Sequence, residues 1–120
     1  MLSEKLLDEC INLISQHLSS LIIQTIRDFD NGRLKFIIKG GRTLHILFNN
    51  YGEYSYNLIL STKKHDRVRF DDRNWDVKTK PHHCHPRFSR DAIESPMSGD
   101  PKLDMEKLID MILNSNYPSK

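Results

Sequence analysis

The segment Lys78 to Arg90, KTKPHHCHPRFSR, sets His82, His83, Cys84 and His85 between Pro81 and Pro86 and surrounds them with cations. Imidazole and thiolate are zinc ligands, yet successive side chains of an extended segment diverge, so these four neighbours cannot converge on one tetrahedral ion. Two ligands, such as His83 with His85, is the most this run supplies. Others would have to come from His65, Asp71, Asp72 or Asp76, and no Cys-x-x-Cys or His-x-x-x-His pair offers them. A minimal metal set is His83, His85 and Asp76.

Acid/base chemistry makes a smaller demand. Cleaving RNA without a metal requires a base for the ribose 2′-hydroxyl, an acid for the leaving 5′-oxygen and cations for the phosphorane. His82 or His83 suits proton transfer, since imidazole titrates near neutrality and nearby cations favour its base form. His85 is a candidate helper. Tyr56 has the right chemistry, although its strand position suits core packing equally. Arg67, Arg69, Arg87 and Arg90, with Lys78 and Lys80, are the candidate phosphate contacts. No cofactor is called for. The competing reading is that histidines in a proline-rich loop are ordinary polar residues.

The surrounding charge is uneven. Between Ser61 and Arg90 nine Lys/Arg face four acids, so this quarter of the chain carries +5 while the whole 120-residue chain carries +2. A charge run is often only a solvated face; here it coincides with the histidines.

Positioning these residues falls to one domain spanning residues 1–120, because the length is too small for two independent cores. SEKLLDECINLISQHL spaces its apolar residues by three and four, predicting a helix with Ser3 as N-cap. SSLIIQTIRDF then reads as a strand ending at the Asp30-Asn31-Gly32 hairpin signal. Leu34, Phe36 and Ile38 alternate with Lys35, Ile37 and Lys39. Beyond Gly40-Gly41, Leu44, Ile46 and Phe48 alternate with Thr43, His45 and Leu47. YSYNLIL places Tyr54, Tyr56, Leu58 and Leu60 on one face, and RVRFD is a short last strand. From about Asp71 to Pro101 no period is visible, predicting a long basic, histidine-rich loop in which Trp75 serves as an anchor. DPKLDMEKLIDMIL gives a second helix, with Asp100 as cap and Pro101 at its first position.

The expected fold class is therefore α+β: an antiparallel sheet of about five strands in meander order, flanked by an N-terminal and a C-terminal helix that cover one face. His17, late on the first helix, and His45, on the less apolar strand face, receive no role. The acidic N-terminus, the lack of a long apolar run and two cysteines without a disulfide pattern point to a cytoplasmic protein with no membrane segment and reduced thiols.

In order, EYSYNL, a basic turn, a strand ending in aspartate, KPHHCHP and the helix MEKLIDMIL resemble the TumE family, toxin components of prokaryotic toxin–antitoxin pairs. Tyr54-Ser55-Tyr56 matches the family's Y-S-Y strand and Pro81-His82-His83 its P-H-H element, while His85 stands where a later histidine falls. Asn57 occupies the place where a histidine often follows Y-S-Y, and either Phe70-Asp71 or Trp75-Asp76 stands for the family's Trp-Asp. The resemblance implies a small helix-turn-helix antitoxin as protein partner and RNA as target. A homodimer stays open. Two other readings also stay open: a non-catalytic module binding nucleic acid or protein, and a metal-dependent phosphodiesterase or nuclease.

Overall fold

The computed structural model describes residues 1–72 and 82–119. Helix α1, Leu2–Leu18, is followed by strands β1 (Ile22–Asp28), β2 (Arg33–Ile38), β3 (Arg42–Phe48), β4 (Tyr54–Ile59), β5 (Arg67–Asp71), β6 (His83–His85) and β7 (Ile93–Glu94), then by helix α2, Pro101–Asn114. All seven strands form one sheet in chain order, each antiparallel to the next.

The α+β meander between two helices matches the sequence reading, with seven strands in place of about five. The added pair lies inside the expected loop. With three and two residues, β6 and β7 are too short to show a hydrophobic period, and β6 reads His-Cys-His.

Alternation sorts the sheet into two faces. Leu34, Phe36 and Ile38 of β2, Leu44, Ile46 and Phe48 of β3, and Tyr54, Tyr56 and Leu58 of β4 are buried on one of them, continued by Val68, Phe70 and Cys84. Leu7, Cys10, Ile14 and Leu18 of α1 and Met105, Leu108 and Ile112 of α2 complete that core, and the helices pack against each other. Both cysteines are buried and unpaired. Among the described residues no helix is long and apolar enough to cross a membrane.

Local chemistry fixes the ends. Asp100 caps α2 by accepting from the Lys102 N–H at 3.0 Å, with Pro101 in the first turn. The cap expected from Ser3 is supplied across the fold instead: Asn50 Oδ1 accepts from the Ser3 N–H at 3.2 Å. The Asp30-Asn31-Gly32 turn is a single 3₁₀ turn, Phe29–Asn31, closed by Gly32 at φ +67°, where a Cβ would collide with the Phe48 carbonyl oxygen.

One buried carboxylate joins sheet, loop and helix. Asp104, fully buried in the first turn of α2, accepts from the Tyr56 hydroxyl at 2.7 Å, the Ser98 N–H at 2.8 Å and the Gly99 N–H at 2.7 Å. Asp104→Ala strands these donors without a partner, and should lower the unfolding free energy by about 3 kcal/mol. Urea denaturation followed by circular dichroism measures it; Tyr56→Phe, which removes only one donor, should cost less.

Candidate functional site on the uncovered sheet face

The other face of the sheet carries the polar phase of every strand, and the register stacks these residues into transverse rows. Lys35 faces His45, His45 faces Asn57, Asn57 faces Arg69 and Arg69 faces His85. In the neighbouring row Arg33 faces Leu47, Leu47 faces Ser55, Ser55 faces Asp71 and Asp71 faces His83. Strands about 4.8 Å apart bring side chains from distant parts of the sequence within reach of one ligand.

A groove of about 420 Å³ lies along these rows. Ile26 and Asp28 of β1 and Arg33 and Lys35 of β2 line one side, and Ser55, Asn57 and Arg69 of β4 and β5 the other, with His45 and Leu47 of β3 between. Among the described residues neither Arg33 nor Lys35 is ion-paired. Burial, with the charges of Lys35 and Arg33, holds the His45 imidazole below its ordinary value, so it is neutral at neutral pH.

Arg69 is the best-supported cation of the face. Its Nε lies 3.4 Å from Asp71 Oδ2, close enough for attraction but without hydrogen-bond alignment, and its terminal nitrogen donates to His85 Nε2 at 3.1 Å. A backbone hydrogen bond with Arg90 also acts on the His85 ring and opposes a downward shift of its pKa. Burial and the Arg69 charge push the His85 pKa down, consistent with a neutral ring that accepts from Arg69. The Nε2 lone pair is thereby committed, so His85 positions Arg69 in this conformation.

Alternation splits the histidine run. His83 and His85, both buried, share the face opposite the helices with Arg69 and Asp71, whereas Cys84 faces Phe70 in the core. Burial pushes the Cys84 thiol up to about 12, so it stays protonated. His82 belongs to the helix side: its Nδ1 lies 2.9 Å from the Tyr54 hydroxyl, and its ring stacks on Tyr54 at 5.9 Å. Tyr54 stacks in turn on Tyr56 at 4.7 Å. Tyr56, fully buried and donating to Asp104, sits on the face opposite His83 and His85. Burial and the Asp104 charge raise its pKa. The expected catalytic set His82, His83, His85 and Tyr56 is therefore divided between two faces, and the placement of Tyr56 makes it a core residue.

The expected phosphate contacts divide too. Arg69 lines the groove. Arg67 donates to the Pro86 and Ser89 carbonyls at 3.4 Å and pins the 86–89 turn. Arg87 is paired with buried Asp66 at 2.5 Å and lies over the Phe88 ring. Arg90 is exposed, with its Nε donating to His65 Nε2 at 3.4 Å. Lys78, Lys80, Asp76 and Trp75 lie outside the described residues. Among the described residues no three His, Cys, Asp or Glu side chains are grouped as a metal site, and His83 and His85 are the part of the metal set that shares a face.

Sequence reasoning singled out neither Arg33 nor Lys35, gave His45 no role, and noted Asn57 only as the residue at the family's histidine position. The signal was present as strand phase, since each occupies a polar position of its strand. What was lacking was the register that lines them up.

The lowered His85 and His45 pKa values carry a stability consequence. Each histidine binds its proton more readily unfolded, so its contribution is complete above about pH 6.5 and is lost as pH falls from there through the folded value. The unfolding free energy should therefore fall between about pH 7.5 and pH 5.5, and fall less in His85→Gln; equal losses in both proteins would contradict the Arg69–His85 arrangement.

Comparison with protein-family models, with curated proteins and with solved structures finds no match to this chain.

Proposed function

We propose that this chain is the toxin of a toxin–antitoxin pair and acts on RNA as a metal-independent endoribonuclease through the sheet face opposite the helices. The observation that carries the reading is the row Lys35, His45, Asn57 and Arg69, which puts cations, an imidazole and a carboxamide side by side along a groove, with His85 next in register to Arg69. Phosphodiester cleavage by the 2′-hydroxyl needs this combination: a neutral base, and cations that stabilise the phosphorane more than the ground state. The resemblance of the YSY and PHH segments to the TumE family supports the toxin assignment and a helix-turn-helix antitoxin as partner.

Arg69 is the phosphate ligand in this reading. Asp71 and His85 hold its guanidinium in place, which spares ordering entropy when an anion arrives. Among the described residues the groove lining holds three cations against one acid, Asp28, which favours a polyanion.

A second reading has one observation in its favour. Nε2 of His85 and the hydroxyl of Tyr56 are engaged in structural contacts, as a module that only binds nucleic acid would allow. Product formation separates the two.

In buffer containing EDTA the purified chain should cut single-stranded RNA. Arg69→Ala should cut about 100-fold more slowly while keeping the native circular dichroism spectrum, and Lys102→Gln on exposed α2 should not differ from the parent. Salt-sensitive binding with the RNA left intact would replace the enzyme by the binding module; cutting that needs an added divalent ion would replace it by a metal-dependent nuclease.

A further inference from the structure

We propose that His45 is the general base of this face, taking the proton of a ribose 2′-hydroxyl while Arg33, Lys35 and Arg69 hold the adjacent phosphate of a single-stranded RNA. The inference rests on the endoribonuclease reading and adds to it the residue that starts the reaction.

His45 differs from the other histidines around it. The rings of His65, His82 and His85 are occupied by Arg90, Tyr54 and Arg69, and His83 is buried with partners of its own. His45 lines the groove in the central strands, and among the described residues its ring makes no hydrogen bond. A base must have a lone pair free and a cavity beside it, and His45 combines the two.

Its surroundings suit the task. From β2, Arg33 and Lys35 flank it; from β1 comes the carboxylate of Asp28; β4 contributes uncharged Ser55 and Asn57; and from β5 comes Arg69. Among the described residues the groove lining holds more cations than acids, which favours the neutral imidazole and attracts a phosphate, although Asp71, 3.4 Å from Arg69 Nε, offsets part of the Arg69 charge. The groove volume falls in the usual range for small-ligand sites, about 300–1,000 Å³.

Asn57 Oδ1 is buried without a hydrogen bond among the described residues, whereas its neighbour in this row, Arg69 Nε, has the ion-pair contact with Asp71 Oδ2 at 3.4 Å. A buried acceptor of this kind is costly unless a ligand or water completes it. A hydroxyl or base N–H of the nucleotide donating to Asn57 Oδ1 would do so.

The step balances on these groups. His45 accepts the 2′-hydroxyl proton as the 2′-oxygen bonds to phosphorus, and the bond from phosphorus to the 5′-oxygen breaks. The products are a 2′,3′-cyclic phosphate and a 5′-oxyanion, which takes a proton from water; the hydroxide so formed removes the proton from His45. Attack in line requires a backbone free to rotate, which a duplex denies and a single strand allows.

The test uses the full chain and a fluorescent single-stranded oligoribonucleotide, beside the same sequence with every ribose replaced by 2′-deoxyribose as an uncleavable probe. His45→Gln should lower kcat by about 100-fold or more, bind the deoxy probe within about threefold of the parent, and lose the acid limb of the pH profile. In the parent that limb should lie below about pH 6.5. Added imidazole should partly restore His45→Ala. Parent cleavage with an undiminished His45→Gln, or a parent rate flat from about pH 5 to 8, overturns the role of His45 and leaves the endoribonuclease reading standing. A parent that cuts no RNA overturns both. Should either variant misfold, the parent's pH profile and the cyclic phosphate end group still decide.

Discussion

The alternation of side chains along an extended strand governs this molecule. A residue's neighbours in sequence go to the opposite face, and its neighbours in register come to its side. For His82-His83-Cys84-His85 that rule forbids a shared site and delivers His83 and His85 to one face, Cys84 to the core, and His82 to a Tyr54 stack on the helix side. The same rule aligns Lys35, His45, Asn57, Arg69 and His85, drawn from five strands, into one row.

A row of polar groups becomes a site only if the helices leave its face free and its framework stays rigid. Both helices pack on the other face, where Asp104 ties the α2 N-terminus to Tyr56 and to the Ser98-Gly99 turn. Arg42 adds a second tie by donating to the Ile112 carbonyl at 2.7 Å, near the end of α2. On the face opposite the helices, Asp71 and His85 restrain Arg69, while Arg33 and Lys35 are left without ion pairs among the described residues. The electrostatic asymmetry follows: the supported cation fixes position, and the unpaired ones supply attraction.

Most of the architecture was legible because it rests on local patterns: three-and-four spacing in both helices, period two in β2 to β4, and the Asp100-Pro101 start of α2. The misses have physical causes. β6 and β7 are shorter than any period, and the first helix draws its cap from Asn50, remote in sequence. The histidine cluster suggests chemistry by its composition, yet it is the turns around Gly40-Gly41 and Gly52 that set the registers bringing His45 beside Lys35 and Asn57. Tyr56 shows the converse: its residue type suits catalysis, but its strand phase sends it into the core, where Asp104 takes its hydroxyl.

The central claim is that the face left uncovered by the helices receives RNA. Backbone amide chemical-shift mapping of the chain, titrated with a short single-stranded oligonucleotide made uncleavable by 2′-deoxy substitution, tests it most directly. The account predicts perturbations concentrated on β2 to β5 around Lys35, His45, Asn57 and Arg69. Perturbations confined to α1 and α2, with these strands unmoved, would contradict it.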